Sequence, residues 1–354
     1  MSDAAVRRLK FPTQPLLRHL IFAVAAGVIL YFVTNRLSSY NDFLLGEIAL
    51  YLIALAGLSL LTGLNGQISL GHGAFMAVGA YTVALLMTHT QLNFILELVI
   101  AVAVAAFLGA VIGIPATRLK GPFLAGMTLL VALALPPIAD KWSSTFGGDQ
   151  GLTTLVPTAP GTLNPEEWLA WIQILGALLT LLLLANLMKS RFGRSFRAVR
   201  DDEIAASLAG IHVARTKVTA FVVSAACAGL AGAFLGLSTG VVNTGEFPLT
   251  LSIQLLAAMV LGGTGTLIGM LWGAILLVYL PQWSTSLSNH FNLGSGANAY
   301  LATIIFGAVL IVGMIAAPSG IQGGLRWVWA RATHAFTSRS VQGLATSQAG
   351  PRST

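Results

Sequence analysis

Residues 63–75 read GLNGQISLGHGAF and follow directly on an apolar run. Gly63, Gly66, Gly71 and Gly73 alternate there with the polar Asn65, Gln67, Ser69 and His72. The groups on offer are hydrogen-bonding backbone and side chains, with no arrangement for covalent chemistry. Backbone freed from a helix cannot face lipid, because each unpaired amide there costs several kcal/mol. If the stretch lies within membrane depth, it must pack in protein or line a water-filled path. If it lies outside, it is a turn between two helices. It is not a phosphate loop, since it lacks both the Lys-Ser/Thr ending and a preceding soluble strand.

A second stretch, SRFGRSFRAVRDDEIAASLAGI at 190–211, repeats Arg191, Arg194, Arg197 and Arg200 at every third position. On a helix these lie near one face. Asp201 or Asp202 can cap a short helix over 203–209, and Gly210 can end it in the left-handed conformation. Ile204, Leu208 and Ile211 then form an apolar edge. Such a helix either docks on a protein partner or lies on anionic lipid, held by its arginines. A third stretch, LGGTGTLIGMLWGA at 261–274, is rich enough in glycine for close helix packing or a broken helix.

Bond-making and bond-breaking chemistry is poorly represented. The sequence has no HExxH metal motif, no GxSxG nucleophile turn and no Walker-type ATP-binding motif. Cys227 is the only cysteine, which excludes an intrachain disulfide, and its apolar surroundings predict a packing role. Glu47 and Glu97 are the acids inside apolar runs, both near predicted helix ends. The scarcity of mid-span carboxylates argues against a proton- or sodium-driven carrier.

The elements that must position these stretches are membrane helices. The chain of 354 residues is 56% hydrophobic and only 9% charged, against roughly 25% charged in soluble domains. Apolar runs of spanning length lie near 18–37, 43–63, 74–92, 94–116, 121–139, 168–188 and 218–240. Shorter ones lie near 250–262 and 267–283, with a last near 299–317. The expected fold is an all-α polytopic bundle of about ten (eight to ten) transmembrane segments. No short core with a small-residue cleavage site marks a signal peptide, so the first run is expected to stay as a helix.

The net charge is +7. Its layout argues against nucleic-acid binding, because lysines and arginines sit at the ends of apolar runs. With both termini cytoplasmic, all of the 19 lysines and arginines except Arg36 and Lys141 fall on the inner side. The chain then divides into a cytoplasmic segment 1–17, a transmembrane domain 18–323 containing the inner loop 189–217, and a cytoplasmic tail 324–354. The tail is rich in Ser, Thr, Gly and Gln and is expected to be disordered.

Taken together, GLNGQISLGHGAFMAVGAYTVALL (63–86), residues 190–236, SIQLLAAMVLGGTGTLIGMLWGA (252–274) and GMIAAPSGIQG (313–323) resemble the branched-chain amino acid permeases of the ATP-binding cassette class. The likeness is greatest to the M-type subunit of the leucine/isoleucine/valine import system. Two places depart from the family pattern: Leu119-Lys120-Gly121 is followed by Pro122-Phe123, and the Thr-Gly-Gly loop reads Thr145-Phe146-Gly147-Gly148.

The resemblance implies an importer in the bacterial inner membrane. It would comprise this chain, a second homologous permease, two cytoplasmic ATPases that carry ATP and magnesium, and a periplasmic solute-binding protein. No cofactor or metal is expected on this chain. Solutes would be branched-chain or other amino acids, with urea or short amides as the alternative. The resemblance places Asn65, Gly66, Gln67, Ser69, Gly71, His72 and Gly73 beside the translocation path. It assigns Arg197, Arg200, Asp202, Glu203, Ala206 and Gly210 to coupling with the ATPase.

Overall fold

A computed structural model describes residues 38–290, save 91, 120, 157, 158, 162 and 163, together with positions 24 and 27 and parts of 301–326. The expected segment 1–17, most of the run 18–37, much of 299–317 and the tail from 327 onward lie outside the described residues.

The chain is an all-α multi-pass membrane protein. Helix α1 spans Ser39–Ser59 and continues into a π-helical turn at Leu60–Leu64. Helices α2 (His72–His89), α3 (Phe94–Ala116) and α4 (Pro122–Lys141) follow. A short α5 (Ser143–Phe146) leads to β1 (Leu152–Thr153) and then to α6 (Pro165–Lys189). Two helices without a long apolar run come next, α7 (Arg191–Asp201) and α8 (Glu203–Leu208). Helix α9 (Val213–Thr239), β2 (Val241–Val242), α10 (Leu249–Gly262) and α11 (Leu267–His290) follow, and the described parts of 301–326 are helical too.

Among the described residues, six helical stretches are long and apolar enough to cross a membrane: Ser39–Leu64, Phe94–Ala116, Pro122–Lys141, Pro165–Lys189, Val213–Thr239 and Thr244–Gly262. Each is apolar along most of its length, as a span requires. Their ends carry local signals. Asn93 accepts a bond from the Ile95 amide and starts α3. Pro122 and Pro165 occupy first-turn positions of α4 and α6, where a missing N–H costs nothing. Gly240, at φ +72, closes α9. The apolar runs from 43 to 283 thus all become helices, most ends falling within a few residues of those read from the sequence, while α9 starts five residues earlier and α11 ends seven residues later.

Helix α9 is the hub, packing on α1, α2 and α3, while α1 also packs on α6 and α11. Glycines let these backbones meet. A Cβ at Gly79 would land on the Gly229 carbonyl, and one at Gly232 on the Met76 carbonyl. Phe75 and Phe221 meet edge-to-face with centroids 5.7 Å apart beside this crossing. Cys227 is buried in the same region, against Gly57.

The connections gather into two groups at opposite ends of the helices. One holds β1 and β2, paired antiparallel as Leu152 with Val242 and Thr153 with Val241. The other holds the π turn, α7, α8 and the turn 263–266. There a Cβ on Gly63 would strike Gly265, and one on Gly320 would come within 2.5 Å of Gly263 Cα.

Candidate functional site

The stretch 66–71 has no regular secondary structure and links the π turn to α2. Leu70 N donates to Thr128 Oγ1 at 2.9 Å, His72 Nε2 to the Ala54 carbonyl at 3.2 Å, and Gly73 N to Ser252 Oγ at 2.9 Å. Thr128, Ala54 and Ser252 lie inside three of the apolar spans. The backbone is therefore within the depth of the bundle, and its amides find partners in protein, as lipid surroundings demand. Helix α2 begins at His72, partway along its neighbours. With 18 residues, two histidines and two glycines, it falls short of the six apolar stretches.

The side chains named from the sequence are mostly enclosed. Asn65, Gln67, Ser69 and His72 are buried, as are Gly71 and Gly73, while Gly66 is exposed. Gln67 Nε2 donates to the Lys217 carbonyl at 3.1 Å, and Ser69 Oγ accepts from Gly71 N at 3.4 Å. Neither polar atom of the buried Asn65 amide has a hydrogen-bond partner. Gly66 sits at φ +75, and a Cβ there would lie 2.9 Å from Arg200 Cγ.

That last contact joins two stretches that the sequence leaves separate. Arg200 Nη1 donates to the Gly63 carbonyl at 2.9 Å, while Nε and Nη2 hold Asp201 Oδ1 at 2.9 and 2.7 Å. The Gly63 carbonyl belongs to the wide turn that ends α1, where ordinary helical partners run out. The other side of Gly63 rests on Gly265, whose amide donates to Ser59 Oγ at 3.0 Å. All three glycine-rich or basic stretches thus meet at one end of the bundle.

Helix α8 forms as its residues require. Asp202 Oδ1 accepts from the amides of Ile204 and Ala205 at 2.8 and 3.0 Å, and Gly210 ends the element at φ +82. Arg191, Arg194, Arg197 and Arg200 are exposed on α7, whose Gly193, Phe196 and Val199 are buried. Arg197 reaches the Met188 carbonyl at 3.4 Å. On α8, Ala206 packs inward, whereas Ile204 is 73% and Leu208 85% exposed. Lys217, read from sequence as a loop cation, is instead enclosed on α9, with its Nζ 2.6 Å from Glu203 Oε1. Replacing Asp202 with Ala removes the cap and should cost about 0.5–2 kcal/mol of local helix stability. Faster amide hydrogen exchange over 203–209, with the rest of the chain unchanged, would register it.

Comparison with known proteins decides the family. The family described as "Branched-chain amino acid transport system / permease component" matches residues 40–314. The chain belongs to this permease family. The branched-chain amino acid transport system permease protein LivM of Escherichia coli is 32% identical over 297 residues, covering 77% of this chain and 67% of that protein. LivH of the same organism is 26% identical over 317 residues, covering 83% and 96% of the two chains. BraD of Pseudomonas aeruginosa is 26% identical over 296 residues, covering 77% and 91%. No solved structure matches the chain with significance.

In this permease, several residues around the stretch 63–75 escaped the sequence reading. Thr128 is the lone hydroxyl within its apolar run, which is a signal the sequence carries, whereas Ser252 shares its run with Thr250. The partnership of Arg200 with Gly63 had none, since the residues are distant in sequence and one partner is a backbone carbonyl.

Proposed function

We propose that this permease carries branched-chain or other amino acids across the bacterial inner membrane as one subunit of an ATP-binding cassette importer. A second homologous permease completes the pathway, two separate ATPases supply ATP hydrolysis, and a periplasmic binding protein delivers the solute. The reading rests on one observation above all: α8 is a capped short helix between two spans that leaves Ile204 and Leu208 in the open. An exposed apolar edge with a rim of arginines fits a groove on a protein partner. The names of the relatives, which are branched-chain amino acid permeases, support the solute class.

The proposed topology has ten segments with both termini in the cytoplasm. It is supported by the grouping of connections at two ends and by the side on which lysines and arginines collect. The solute would pass next to residues 65–73, between the two permeases. ATP-driven closure of the ATPases would act through α7 and α8, and the pair would alternate between inward- and outward-facing states.

Reconstitution tests this reading. Proteoliposomes holding both permeases, both ATPases and the binding protein should accumulate leucine only with ATP inside. Gradient-driven leucine flux through this chain alone would overturn the importer reading in favour of a self-sufficient carrier. ATP-dependent accumulation of urea or a short amide, but not of leucine, would overturn the amino-acid assignment.

A further inference from the structure

One direct contact and one relayed through α9 link α7 and α8 to residues 63–67, where α1 ends. Arg200 holds the Gly63 carbonyl. Glu203 holds Lys217, whose own carbonyl accepts the Gln67 side chain. Arg200 and Glu203 flank Asp202, which is extended and joins the two helices. Displacement of α7 and α8 as one body therefore pulls on both contacts together.

What they grip can move in a defined way. Leu60–Leu64 is a π-helical turn, one residue looser per turn than an α-helix. Returning it to α-helical bonding would shift the register of 61–67 by one residue. That shift would carry Gly63 off Arg200 and bring new neighbours to the buried Asn65 amide, whose unbonded state is costly here. Gly63 and Gly66 keep the surface smooth enough for the slide, since a Cβ on either would jam against Gly265 or Arg200.

We propose that Arg200 and the Glu203–Lys217 pair form a two-point strut that delivers movement of α8 to residues 61–68, switching the π turn between two registers. This rests on the importer reading above and adds the residues that transmit the motion. Arg200, Glu203 and Lys217 are positioning residues; none of them need touch solute.

The test uses the assembled importer in lipid nanodiscs, with Cys227→Ser and otherwise cysteine-free subunits. Ile68→Cys, at a position 43% exposed, reports on the moving stretch through its rate of reaction with a maleimide. With the strut intact, that rate should change by about fivefold or more between nucleotide-free and ATP-vanadate states, the usual size of coupling between sites. Arg200→Ala and Glu203→Gln should each reduce the change to less than about twofold, and the exchanged pair Glu203→Lys with Lys217→Glu should recover it. Should Arg200→Ala fail to assemble, Arg200→Lys keeps the charge but loses the fork that holds Asp201 and Gly63 together, and the same loss is expected. An undiminished nucleotide response in these variants overturns the strut. So does a rate that never responds in an importer still taking up leucine, and in that case the importer reading stands. If no ATPase associates with the chain, the importer reading falls first and the strut falls with it.

Discussion

Leu208→Asp should abolish ATP-driven uptake while leaving the permease folded and inserted. Leu208 is 85% exposed, so a charge there replaces contacts with solvent and should change stability by no more than about 0.5 kcal/mol. On a docked helix the same side chain becomes a buried apolar anchor. Losing such an anchor, and burying a carboxylate in its place, costs about 2 kcal/mol or more of association. That is roughly a 30-fold loss of affinity for the ATPase. The measurement is co-purification of the ATPase with the variant, alongside uptake in proteoliposomes. The variant also separates docking from the lipid-surface alternative. If α8 merely lies on anionic lipid, Leu208→Asp would leave ATPase recovery unchanged and weaken only the contact of this loop with vesicles. Glu203 is a less clean probe of docking, because Glu203→Arg would set two cations together at the enclosed Lys217.

The α8 element was almost wholly legible in the sequence, and the reason is local. A cap, six helical residues and a left-handed glycine are decided by neighbours a few positions apart. Spans are legible for a similar reason, since apolar length is a property of a single segment. The stretch 63–75 is different. Its composition says that it is not an ordinary span, but an exposed turn and a segment packed within the bundle share that composition. Only its partners Thr128, Ala54 and Ser252 distinguish them, each on another helix. Lys217 shows the same limit from the other side. Beside a basic loop it reads as one more surface cation, until the fold brings Glu203 within 2.6 Å.

That dependence on distant partners makes the helix crossing beneath the site decisive. Residues 72 and 73 lie where they do because α2 is seated on α9 through backbone contact. Gly79→Ala and Gly232→Ala should therefore each destabilise the permease by about 1–3 kcal/mol, the range for forcing extra carbon into a packed interior. The sign is the informative part. Alanine is the better helix former by about 1 kcal/mol, so a glycine with open space around it should give the opposite result. Gly126 on α4 has nothing within 4 Å of a built Cβ, and Gly126→Ala should raise the thermal midpoint of the purified permease in detergent. At Gly79 and Gly232 the added methyl meets a carbonyl of the facing backbone, which cannot rotate aside as a side chain can. The helices must separate, and His72 and Gly73 are drawn from Ala54 and Ser252. Uptake should fall with the midpoint. Because one separation makes room for both methyls, Gly79→Ala combined with Gly232→Ala should cost less than the sum of the two. A raised midpoint for Gly79→Ala, matching that of Gly126→Ala, would show that α2 and α9 stand further apart and that something else seats the polar stretch.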